Sequence, residues 1–131
     1  MSCTTLFECQ NLLQVLLIEN NNLESSFLQL YIDITFRKDM LSTWQQAPLE
    51  LQESAKIAYE QTLTESINIS NAYEQIINLK HVLDHITHTL NSALIDPSNL
   101  NLNLVNINNL ITNYNTIKTT FLKDFQKLLD A

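Results

Sequence analysis

The sequence contains no glycine among its 131 residues and only two prolines, Pro48 and Pro97. Without glycine, no residue takes positive φ at no steric cost or lets a ligand come against bare backbone. Phosphate-cradling loops and dinucleotide-binding turns depend on such residues, so both readings are excluded. A many-turned β sandwich or barrel would need turn residues at short intervals, and these are missing too. Basic residues are scarce: seven Lys and Arg stand against 14 Asp and Glu, Arg37 is the single arginine, and the formal charge is −7. Nucleic-acid binding rests on neutralising phosphates, so no nucleic-acid partner is expected. No apolar run reaches the ~18–20 residues that cross a bilayer, so no membrane insertion is expected. The most hydrophobic stretch, Leu12 to Ile18, is broken by Gln14, precedes Glu19 and lacks a basic leader, and is not read as a signal peptide.

Two cysteines are present, Cys3 and Cys9. Placed on one helix they would lie ~9 Å apart along its axis, beyond disulfide reach. Reduced thiols in a cytosolic protein are therefore expected. The hydrophobic content of 45% exceeds what a disordered chain carries. What remains is an all-α protein with few turns.

The first half repeats in heptads. Leu6, Leu13, Asn20, Phe27, Ile34 and Leu41 recur every seven residues, and Cys9, Leu16, Leu23, Leu30, Arg37 and Trp44 follow at an offset of three. This is an a/d seam interrupted by Asn20 and Arg37. A polar residue in such a seam either fixes register or marks a local opening, and Asp33, one turn before Arg37, could pair with it. Thr5 and Glu8 match a capping box, which places the first helix at about residues 5–46, ~60 Å long. Pro48 punctuates. The second seam reads Leu51, Ala55, Ala58, Thr62, Glu65, Ile69, Ala72, Ile76, Leu79, Leu83, Ile86, Leu90 and Ala93, giving a helix over about 48–95. Two long helices joined by a tight turn fold as an antiparallel, coiled-coil-like hairpin.

Asp96-Pro97 is the second break, with Asp96 or Ser98 as N-cap. The run Leu100-Asn101-Leu102-Asn103-Leu104 alternates like a strand, so residues 97–103 are open between strand and loop. Helical spacing then returns in Leu104, Ile107, Ile111, Tyr114, Ile117 (or Lys118), Phe121, Phe125 and Leu128. The third helix is expected over about 103–129, weak by itself because it is rich in asparagine and threonine. Residues 1–131 are thus read as one helical domain, a three-helix bundle.

No cofactor and no catalytic residues are expected. His81, Asp84, His85 and His88 share a helix face at chelating spacing, but the heptad frame puts that face opposite the seam. An ordinary polar face is preferred to a metal site. Glu50, Glu53, Glu60, Glu65 and Glu74 are strung along one rod rather than gathered as an acid–base pair. Partner binding is assigned to the apolar stripe Leu104, Ile107, Ile111, Tyr114, Phe121, Phe125 and Leu128, which either covers the first two helices or meets a partner groove.

Leu12-Leu13, Glu19-Asn20, Leu23 and Lys38-Asp39-Met40-Leu41 in the first helix, with Asn71-Ala72-Tyr73 leading into Ile76, Leu79 and Leu83 in the second, resemble the FlgN-type flagellar export chaperones. The resemblance covers the first 95 residues or so. The asparagine-rich segment after Pro97 and the lack of glycine depart from the family pattern. The resemblance implies a cytoplasmic, non-catalytic chaperone that shields helical segments of a protein client, a secreted flagellar junction protein, as a soluble monomer or homodimer. The alternative is a structural coiled-coil subunit of a multiprotein assembly.

Overall fold

The computed structural model describes residues 2–130, and within them the chain is helical from Leu6 onward apart from short turns, with no strand. Helix α1 spans Leu6–Leu41, α2 spans Gln52–Ile95 and α3 spans Leu100–Asp130. Short 3₁₀ turns at Trp44–Gln46, Leu49–Leu51 and Pro97–Asn99 join them. The antiparallel hairpin and the third helix form the bundle that the two seams predict. Both α1 and α3 lie along α2, and they approach each other closely at few backbone points.

The boundaries shift for local reasons. Thr5 caps α1, its hydroxyl accepting from the Glu8 amide at 3.1 Å. The Glu8 carboxylate closes the box on Thr4 rather than Thr5, accepting from the Thr4 amide at 3.0 Å and hydroxyl at 2.9 Å. Those bonds hold the Glu8 carboxyl below its usual range, the amide bond being the larger cause. At its other end α1 stops at Leu41 rather than 46, because the Ser42 and Thr43 hydroxyls bond back to the Asp39 and Met40 carbonyls. Pro48 then keeps Ala47 extended, at φ −69° and ψ 155°. The side chain of Gln52 stitches this turn, donating to the carbonyls of Gln45 and Ala47 at 3.1 and 3.2 Å. Regular α-helix therefore begins at Gln52 instead of residue 48.

The strand-like Leu100–Leu104 run is helical. Asp96 accepts from the Ser98 amide at 3.1 Å, and Pro97 opens a turn that runs directly into α3. A five-residue alternation is too short to outweigh that start signal. Asn and Thr are accommodated inside α3 partly by back-bonding: Thr112, Thr116, Thr119 and Thr120 each donate to a carbonyl four residues earlier.

The core follows the seams. Cys9, Leu13, Leu16, Phe27 and Ile34 of α1 are buried against Ile69, Ala72, Ile76, Leu79, Leu83, Ile86 and Leu90 of α2, with Ile107, Ile111, Tyr114, Phe121, Phe125 and Leu128 of α3 closing the cluster. Its centre is aromatic. Phe27 lies 6.1 Å from Tyr31, 5.9 Å from Tyr73, 5.9 Å from Phe121 and 6.4 Å from Phe125, ring centre to ring centre. The expected Arg37–Asp33 pair does not form. Arg37 instead reaches Glu65 at 3.1 Å, so the polar interruptions of the two seams meet each other across the hairpin.

The expectation of reduced, separated cysteines is overturned: Cys3 and Cys9 form a disulfide, with Cα atoms 5.2 Å apart. The helical spacing argument fails because Cys3 precedes the Thr5 cap and is not on the helix. Its segment folds back over the bundle, where Cys3 and the side-chain amide of Asn108 exchange two hydrogen bonds, N–H to Oδ1 at 2.9 Å and Nδ2–H to C=O at 2.8 Å. Both cysteines are buried. A crosslink closing so short a loop is worth about 2 kcal/mol through the unfolded chain. Urea unfolding with and without reductant should show a loss of that size, and identical curves would show that the bond adds nothing.

Candidate partner-binding groove

The seven residues assigned to partner binding share one face of α3, but in this structure that face is packed inward. Ile107, Ile111, Tyr114, Phe121, Phe125 and Leu128 are buried and Leu104 is partly so. A partner reaches them only if α3 leaves the hairpin. Besides this buried stripe, polar ties at the periphery hold α3 in place. Lys118 donates to Glu19, Gln75 donates to Asp124 at 3.1 Å, and Asn108 holds Cys3. Lys118 also lies 5.9 Å from the Tyr114 ring centre.

Tyr114 is completely buried, and its hydroxyl meets no hydrogen-bonding protein group. Burial, with a smaller contribution from the Glu19 charge, pushes its pKa up to about 12. Asn20, the polar residue in the first seam, is buried as well, with its carbonyl oxygen unpaired. Each such group costs stability in a dry core.

What sequence reasoning missed is a consequence of length. The described part of α3 has 31 residues against the 44 of α2, so ~20 Å of α2 lies beyond it at 1.5 Å per residue. Seam position Leu51 is consequently 54% exposed, and Leu49 and Ile57 nearby are open to solvent. Where α3 ends, an open cleft of about 770 Å³ lies between it and α2. Gln61, Thr64, Glu65, Asn68 and Asn71 line one wall, and Asp124, Lys127 and Leu128 the other. The signal was available: the third apolar stripe ends at Leu128 with fewer turns than either seam. The cleft is walled by three neutral amides, three charged side chains, one threonine and the aliphatic edge of Leu128, a mixed lining with donors and acceptors for a polypeptide.

His81, Asp84, His85 and His88 are all exposed on α2. Among the described residues no group of three or more His, Cys, Asp or Glu side chains is placed to hold a metal ion. No described helix is long and apolar enough to cross a membrane.

The buried tyrosine generates a pH prediction. In the unfolded chain Tyr114 ionises near pH 10, whereas in the fold it stays neutral to about 12. The unfolded state alone loses that proton in between, so stability is complete below pH 10 and falls as pH rises toward 12. Tyr114→Phe should be neutral or stabilising by up to about 1 kcal/mol at pH 8, since it deletes an unpaired hydroxyl. It should also lose less stability at pH 11 than the parent, as read by urea unfolding at the two pH values. Equal losses would show that Tyr114 is not the group responsible.

Comparison with protein-family models, with curated proteins and with solved structures gave no match.

Proposed function

We propose that this protein works by binding rather than catalysis, accepting an amphipathic helical segment of a protein client along the part of the hairpin that α3 leaves open. The observation that carries this reading is the open end of the hairpin, where seam residue Leu51 stands in solvent about three helical turns beyond the cleft at Gln61 and Leu128. A client helix docking there continues the interaction that α3 makes with the rest of α2. The ionisable groups support a binding role: Glu50, Glu53, Glu60 and Glu74 are dispersed on exposed faces, and Glu65 is engaged with Arg37.

Within this proposal α3 is an internal occupant that competes with the client for apolar surface. Its asparagines and threonines make it a poor autonomous helix, so its order depends on packing. A client that binds the opened hairpin more tightly than the closed one draws the equilibrium toward release of α3. The stripe from Leu104 to Leu128 then becomes available as a second contact surface.

The resemblance to flagellar export chaperones supplies the client class, secreted junction proteins held before export, and a cytoplasmic site of action. The Cys3–Cys9 bond bears on that location, because a reducing cytosol keeps thiols reduced. A cytoplasmic chaperone of this sequence would hold Cys3 and Cys9 as thiols, with the Asn108 bonds alone retaining the N-terminal segment.

The test is capture of purified hook-associated junction proteins on the immobilised full chain. Leu51→Asp lies on exposed surface, so it should leave folding nearly unchanged while weakening capture at least tenfold. Leu128→Asp should loosen the end of α3 and strengthen capture, with faster hydrogen exchange confined to that helix. No capture by either the parent or Leu128→Asp would overturn the export reading. Capture insensitive to Leu51→Asp would overturn the groove.

A further inference from the structure

The face of α1 turned away from the core is itself apolar. Phe7, Val15, Ile18, Ile32, Phe36 and Met40 are each more than half exposed. At 100° per residue they fall in one narrow stripe on the side of the helix opposite Cys9, Leu16 and Phe27. The remaining positions of the stripe are polar: Asn11, Gln14, Asn22, Ser25 and Gln29, with Asp33 its one charge, at the edge shared with Val15. No α2 or α3 residue covers it, and it is separate from the groove of the proposed function.

The two ends of this stripe match each other in opposite directions. About a point between Leu23 and Glu24, Phe7 is mirrored by Met40 and Val15 by Ile32, with the small polar pair Asn22 and Ser25 at the centre, while Ile18 and Phe36 face the polar Gln29 and Asn11. A two-fold interface requires that kind of self-complementarity, whereas an unrelated partner does not. We propose that the outer face of α1 is the interface of an antiparallel homodimer, in which a second copy of this chain lays its own α1 across the first.

Charge and size agree. In that arrangement Glu8 comes within about one helical turn of the partner's Arg37, on the same flank of the seam. The two such pairs favour the antiparallel register. Arg37 is about half exposed and keeps its bond to Glu65, so neither charge is stripped of water. With 36 residues, α1 is ~54 Å long, and a strip ~10 Å wide buries on the order of 500 Å² per protomer, near the ~1,000 Å² total that a specific interface needs. The polar centre makes the contact strongest toward the two ends.

Sedimentation equilibrium of the full chain tests this. The expected species has twice the 15.1 kDa chain mass. Ile32→Glu should abolish it while leaving the helical circular dichroism signal unchanged, since Ile32 is exposed. In a mixture of Val15→Cys and Ile32→Cys chains, oxidation should join unlike chains, and neither variant should crosslink efficiently alone. A chain that stays monomeric at high concentration overturns the proposal. So does a dimer indifferent to Ile32→Glu, or efficient crosslinking of Val15→Cys to itself, which indicates a parallel pair. None of these outcomes depends on client capture.

Discussion

Phe27 is where the three helices become one structure. It is fully buried, and rings from all three helices surround it: Tyr31 on its own helix, Tyr73 on α2, and Phe121 with Phe125 on α3. Aromatic contacts of this kind add to the burial of the rings themselves. The hairpin could be held by its aliphatic seams alone. Attachment of α3 near the middle of α1 depends on this knot, because the backbones of α1 and α3 otherwise keep their distance. The polar ties at Lys118, Asp124 and Asn108 then set the register of a helix that the aromatic cluster has already drawn in.

The architecture was legible because its signals were long. Five heptads in α1 and a twelve-residue seam in α2 leave little freedom over which faces meet, and Asn20, Phe27 and Ile34 are buried where the repeat puts them. The errors occur where one local interaction outweighed a pattern. Ser42 and Thr43 ended α1 early by bonding to carbonyls that the next turn would have used. Asp96 and Pro97 launched α3 through a run of leucines that alternates like a strand. The Arg37–Glu65 pair was hidden because it depends on the register between two helices, whereas Asp33 was visible one turn away.

The candidate site was legible only in part. The apolar stripe of α3 is a single surface, as the spacing requires, yet it is occupied by the hairpin, and periodicity cannot distinguish a covered stripe from an open one. The uncovered end follows from the relative lengths of α2 and α3, which depend on where each helix stops. The Cys3–Cys9 bond escaped because reach was judged along a helix that Cys3 does not belong to. Asn108, its other neighbour, is 105 positions away and carries no mark that separates it from the asparagines around it.

That distance has a consequence for the order in which the molecule is completed. During synthesis Cys3 emerges 105 residues ahead of Asn108, so the bonds that seat the N-terminal segment wait until that part of α3 has been made. The heptads of α1 and α2 can zip as soon as both are out, with Cys3 tied to α1 only through Cys9 until α3 follows. The contact between Cys3 and Asn108 thus comes only with α3, the last of these three helices to leave the ribosome.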